Sequence, residues 1–266
     1  MDVPSQAVTN PGATSNRRTG LFFVTTWDEL GESFLPSTVM ADDFNQSIHF
    51  RFAGYDQISE ARRKSDGLAV AIRTTVCSQH SHSTVRVLKD LINILPRLNH
   101  PAIATFIGHM VDPSQLHFVF NYDPLITSIE ALILTKDFAE DEIGHYGAQL
   151  AGALDYLHAQ KSIVRILDPF GILLMPGSVI KLVDIPAMAI LGANGLTSGN
   201  YRPCEEQAPE ALEGREYGKS VDWWALGAMM YYLSTKDKPF MISMFQPQLR
   251  KIYICNVAKP WIYVCL

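Results

Sequence analysis

The stretch KSVDWWALGAMMYYLS, residues 219–234, decides the fold. Laid out at 3.6 residues per turn, it carries apolar side chains on nearly every face. A helix that is hydrophobic all round belongs inside a protein, not on its surface. It is shorter than the roughly 20 apolar residues that a membrane span needs. Asp222 stands at its start, as an N-cap or first-turn acid that suits the helix dipole. The remaining sequence is expected to wrap this central helix.

The 266 residues are enough for one large domain or two lobes with a substantial core. Charged residues make up 18% and hydrophobic ones 47%, a globular composition. A net charge of −5 argues against a general nucleic-acid binder, and Arg62-Arg63-Lys64 reads as a solvated turn. Cys77, Cys204, Cys255 and Cys265 fit no zinc spacing and are too sparse for a disulfide framework. Free thiols point to a reducing compartment, and the expectation is the cytoplasm, with the nucleus left open. No basic-then-apolar leader and no membrane-length apolar run occurs. Gln79-His80-Ser81-His82 carries two histidines without further ligands and reads as solvated.

Residues 1–42 read as a flexible extension, with a short helix around Trp27 to Phe34. From 48 to 76 the period is that of strands, with a turn at Asp66-Gly67. Residues 84–98 have helical spacing, and Pro96 should end that helix near its last turn. Two further strands are expected near 104–110 and 116–121, joined by a turn at Asp112-Pro113-Ser114. After Asp123-Pro124 helices dominate, at 129–134 and at 140–160, the second with Glu140, Asp141 and Glu142 in its first turn. Residues 171–175 and 179–183 form a hairpin around Pro176-Gly177.

A sheet region, a hinge and a helical region around a buried helix resemble the eukaryotic protein kinase fold. The motifs agree in order. Val70-Ala71-Ile72-Arg73 resembles the V-A-I-K strand. Tyr156-Leu157-His158, followed by Val164-Arg165-Ile166-Leu167-Asp168-Pro169-Phe170-Gly171, resembles the catalytic loop. Val183-Asp184-Ile185-Pro186 falls where D-F-G belongs, and Ala208-Pro209-Glu210 is an intact A-P-E. Asp222-Trp223-Trp224-Ala225-Leu226-Gly227 is similar to the helix of the AGC group, which includes cyclic-AMP-dependent protein kinase. Five motifs in register are a specific signal. The resemblance implies an α+β, two-lobed fold: an extension at 1–42, a small antiparallel sheet lobe at 43–122, and a helical lobe at 123–266, C-terminally truncated.

The resemblance also assigns roles. Phosphoryl transfer rests on positioning and on neutralising phosphate charge. The nucleotide candidates are Ala71 and Leu173 against the adenine, Arg73 in place of the strand lysine, Asn121 at the hinge, and Asp184. Asp184 is the one magnesium candidate, and Phe120 is the gatekeeper. The catalytic positions have lost their chemistry. Ile166 stands where a proton acceptor belongs, Asp168 replaces the loop lysine, and Gly171 replaces a metal-binding asparagine. The Gly-rich loop is reduced to Gly54, and Leu91 replaces the glutamate that would pair with Arg73. Leu95, Phe106, Val164 and Ile185 match an apolar spine. Asp222 matches the residue that holds the catalytic-loop backbone, and Arg165 the one that meets an activation-loop phosphate. At that phosphate's position Gly199 aligns best, with Thr197 and Ser198 nearby.

The reading that follows is a pseudokinase, working through a protein partner such as an active kinase, a substrate or a scaffold, with no nucleic-acid or membrane partner. The alternatives are a weak serine/threonine kinase moving the ATP γ-phosphate to protein hydroxyls, with Asp168 as a displaced base, and a non-catalytic ATP sensor. ATP and Mg²⁺ are the implied cofactors. An exposed flank of the central helix would be a binding face or an aggregation hazard.

Overall fold

The computed structural model describes residues 37–45, 48–53, 56–76, 82–121, 127–183, 188–199, 207–242 and 252–254. The short helix expected near Trp27 lies outside these residues, as do Gly54, Asp184, Ile185 and the histidine at position 80.

Alternating and β-branched residues form five strands: β1 (Ile48–Ala53), β2 (Asp56–Arg62), β3 (Ala69–Val76), β4 (Phe106–Val111) and β5 (Gln115–Asn121). They make one antiparallel sheet in the order β1-β2-β3-β5-β4. The β2–β3 turn is fixed by Asp66, whose carboxylate accepts from Leu68 N (3.1 Å) and Arg63 Nε (2.9 Å), and by Gly67 at φ 74°. Helix α1 (His82–Ile94) follows β3 and buries Leu88, Leu91 and Ile92. Pro96 lies in the 3₁₀ turn Leu95–Arg97 that replaces the last helical turn, as its missing N–H requires.

β4 is an edge strand, and residues 37–45 cover it. Thr38 N donates to His109 O (3.0 Å). His109 N donates to Thr38 Oγ1 (2.9 Å), and Val111 N to Ser37 Oγ (3.0 Å). Two hydroxyls thus stand in for the carbonyls of a missing neighbour strand. The segment then crosses the sheet's outer face, where Val39 and Phe44 pack with Val70, Ile72, Met110 and Val119. It ends beside β2, with Asn45 N donating to Arg62 O (2.9 Å). Ser37 to Asp42, assigned to the flexible extension by the sequence, therefore share in this packing.

Beyond the sheet come β6 (Thr127–Ser128), α2 (Ile129–Ile133), α3 (Glu140–Ala159), β7 (Ser162–Ile163), β8 (Ile172–Met175), β9 (Val179–Leu182), β10 (Ala189–Ile190), α4 (Pro209–Leu212), α5 (Ser220–Thr235), β11 (Phe240–Ile242) and β12 (Ile252–Ile254). β8 and β9 form the expected hairpin, with β6 paired on β8's other side. The loop after α1 ties the two regions together: Ala104 N donates to Leu182 O (3.0 Å) and Leu182 N to Ala102 O (2.8 Å). One apolar core runs through both, from Leu88 and Phe118 to Leu150, Leu154, Leu157, Ala225 and Met229. No described helix is long and apolar enough to cross a membrane.

The central helix is less enclosed than its sequence suggested. Val221, Ala225, Met229 and Leu233 are buried, but Trp223 is 37% exposed. Trp223, Leu226, Gly227 and Met230 line a shallow apolar groove against Gly144, Gly147, Ala148 and Ala151 of α3. The physical reason lies on α3, whose glycines and alanines are too small to cover that flank. Gly147 permits the close approach, because a Cβ there would lie 2.6 Å from the Met230 thioether.

Candidate functional site

The site is built on the first turn of α5. Asp222 is fully buried, and it does not cap its own helix. Its carboxylate instead reaches the loop after β7. Oδ2 accepts from Val164 N (3.0 Å) and Oδ1 from Arg165 N (2.6 Å), and His158 Nε2 lies 2.7 Å from Oδ2. Hydrogen bonds to an ionised acceptor are short and about twice as strong as neutral ones. They hold Arg165 at φ 69°, where a non-glycine residue costs about 1–3 kcal/mol and persists only if its surroundings over-determine it. His158 also meets Trp223 edge-on at 5.4 Å.

The braced loop then presents the residues singled out above. Ile166 is 4% exposed and Leu167 is fully buried. Asp168 opens the 3₁₀ turn Pro169–Gly171, its Oδ1 accepting from Phe170 N (2.9 Å) and its carbonyl from Gly171 N (2.8 Å). Gly171 is buried, and its carbonyl accepts from Val183 N (2.9 Å).

The nucleotide candidates fall on three elements. Ala71 and Arg73 share one side of β3, both 3% exposed, so the Arg73 guanidinium is inside the molecule rather than in solvent. Leu91 of α1, at the glutamate position, is core. Ala71 packs with Ile58 as a small apolar pair separate from the main core, and that main core contains Leu173. Asn121 closes β5 opposite Val70, is exposed, and donates its N–H to Thr105 O (2.8 Å). Phe120, the gatekeeper position, is buried and meets Phe106 edge-on at 5.8 Å. Of the spine positions, Leu95 and Val164 belong to the same core and Phe106 packs against it.

Two residues at this site were missed by sequence reasoning. Tyr217 is 2% exposed; its hydroxyl accepts from Arg165 Nη1 (3.1 Å) and donates to Gly199 O. No local pattern marked it, since it lies in a polar turn ahead of α5. His158 was quoted only as part of a motif. Its position one turn from the loop, with a buried acid downstream, was the available signal.

Comparison with known proteins agrees with this arrangement. The model of the protein kinase domain matches residues 54–261. A RAC family serine/threonine-protein kinase homolog of Dictyostelium discoideum is 29% identical over 210 residues, 77% of this chain and 47% of that protein. Developmentally-regulated protein kinase 1 of the same organism is 31% identical over 185 residues, 66% of this chain and 26% of that protein. Aurora kinase of Saccharomyces cerevisiae is 25% identical over 220 residues, 82% of this chain and 60% of that protein. The chain therefore spans 60% or less of the length of these relatives. With its antiparallel sheet lobe, its helical lobe and its Asp222-braced loop, the chain belongs to the protein kinase domain family.

Proposed function

We propose that this kinase domain is a pseudokinase, acting by binding a protein partner in kinase signalling rather than by phosphoryl transfer. One observation carries the reading. The brace on the catalytic loop is complete, yet the residue it presents, Ile166, is an aliphatic side chain 4% exposed. An alkyl group takes no proton, and general-base catalysis supplies about 10²–10⁴-fold. The proposed partner is an active kinase, a substrate or a scaffold, and the D-W-W-A-L-G helix supports placing the domain with the AGC group.

Protein kinase domains use ATP and Mg²⁺. Ala71 and Leu173 are the apolar residues that would flank an adenine. On the metal side, Asp184, the magnesium candidate, lies outside the described residues. Gly171 has no side-chain oxygen, and the Asp168 carboxylate caps its own turn. Adenine binding with weak or no metal dependence is the expected residue of nucleotide chemistry at this site.

A serine/threonine kinase is the second reading, favoured by the serine/threonine kinases among the relatives. It would use Asp168 as base, at the expense of the Phe170 N–H bond. Thermal-shift titration with ATP, with and without Mg²⁺ or Mn²⁺, and a γ-phosphate transfer assay separate the readings. No transfer to a protein hydroxyl supports the pseudokinase. Turnover that co-purifies with the chain and disappears in Asp168→Asn overturns it in favour of the enzyme.

A further inference from the structure

Residues 188–199 cross the face of the braced loop, and they are tied down along their length. β10 pairs with β7, matching Ala189 to Ile163 and Ile190 to Ser162. Leu191 N donates to Lys161 O (2.8 Å), and the turn closes with Gly192 N to Leu196 O (2.9 Å). Thr197 and Tyr217 exchange both backbone bonds, Thr197 N to Tyr217 O (2.8 Å) and Tyr217 N to Thr197 O (2.9 Å).

The two ends of the segment meet at one side-chain pair. Arg165 is 2% exposed. Its Nη2 donates to Met188 O (3.4 Å) at one end of the segment. Its Nη1 donates to the Tyr217 hydroxyl (3.1 Å), which donates in turn to Gly199 O at the other end. The phenol therefore uses both its acceptor and its donor capacity, and the guanidinium bridges α5's loop partner to the segment. Arg165 N is itself held by Asp222, so α5, the loop and the segment form one hydrogen-bonded unit.

We infer that Arg165 and Tyr217 form a latch that fixes residues 188–199 against the catalytic loop without any phosphate, and that Tyr217 is the positioning residue of that latch. Charge arithmetic supports this. A phosphate added to Thr197 or Ser198 would seek a guanidinium that is almost wholly enclosed and already donating to two neutral oxygens. The residue at the end of the chain of bonds is Gly199, which has no hydroxyl to modify. The latch presents the segment's surface constitutively. It does not depend on whether the domain transfers phosphate.

The test is hydrogen–deuterium exchange on the full chain, comparing the parent protein, the same protein after a nonspecific phosphatase, and Tyr217→Phe. Phenylalanine keeps the buried ring and removes only the hydroxyl. Phosphatase treatment is expected to leave exchange in 188–199 within about twofold, while Tyr217→Phe raises it about tenfold or more. Amides of α3 should stay unchanged. Unchanged exchange in Tyr217→Phe, or loosening by phosphatase alone, overturns the latch. Should Tyr217→Phe not fold, Arg165→Lys serves instead, since an ammonium lacks the fork that reaches both oxygens. Loosening confined to 188–199 supports the inference, and protection equal to the parent's or loosening of α3 to the same degree refutes it.

Discussion

Replacing Asp222 by alanine probes the centre of the molecule. The side chain is fully buried and engages Val164 N, Arg165 N and His158 Nε2 at 3.0, 2.6 and 2.7 Å. The substitution removes every one of these and leaves two backbone donors and an imidazole enclosed. Each stranded neutral donor costs about 1–3 kcal/mol, and breaking a buried charged contact costs about 3–5 kcal/mol. The contacts share one carboxylate and do not add, so roughly 3–5 kcal/mol is the expected loss. For a chain of this size that lowers Tm by roughly 6–20 °C. Asp222→Asn keeps one acceptor oxygen but turns an NH₂ toward the donors, and should fall between alanine and the parent. Urea unfolding followed by fluorescence measures both, with the exposed Asp155→Ala as control. If Asp222→Ala unfolds within about 0.5 kcal/mol of the parent, the size expected of a surface change, the brace is not what holds the loop.

Three further outcomes follow from the geometry. Gly144 lies in α3 with nothing within 4 Å of a built Cβ, so Gly144→Ala should raise stability by about 0.5–1 kcal/mol, read in the same urea titration. At Gly108 a Cβ would come 2.7 Å from Thr38 Oγ1 and 2.9 Å from Val39 Cγ1, so Gly108→Ala should hasten proteolytic cleavage at 37–45 while leaving α3 resistant. Burial, and then the charge of Lys181, hold His100 below its ordinary value of 6.5, and its Nδ1 accepts from Ala102 N (3.1 Å). Below pH 6.5 the unfolded chain thus binds the proton more readily than the folded one, and stability falls as pH drops from 6.5 toward the folded value. His100→Asn should flatten that slope between about pH 7.5 and about pH 5.5; a slope equal to the parent's would show that another group titrates.

Strand period, the Pro96 break and the all-apolar 219–234 stretch were legible because each is a local pattern that one face of an element must satisfy. The catalytic-loop positions were legible through their order along the chain, and Asp222 does meet the loop it was matched to. What the sequence hid was pairwise. Nothing near Tyr217 announces that its hydroxyl closes a bridge from Arg165 to Gly199. An exposed flank of α5 was raised from the sequence, but its cause was hidden, because the small side chains of α3 lie some eighty residues away. Arg73 ends a strand run whose sequence does not tell inside from outside, and the sheet's packing puts it inside.

The covering laid by residues 37–45 has a practical corollary for anyone handling this domain. Family similarity starts at residue 54, so a clone trimmed to that border would discard the piece that plugs the sheet's rim. Bare amides on β4 together with an uncovered Val70, Ile72 and Val119 would make such a fragment self-adhesive. The usable domain starts where the last hydroxyl plug sits, at or before Ser37, well ahead of the first recognisable motif.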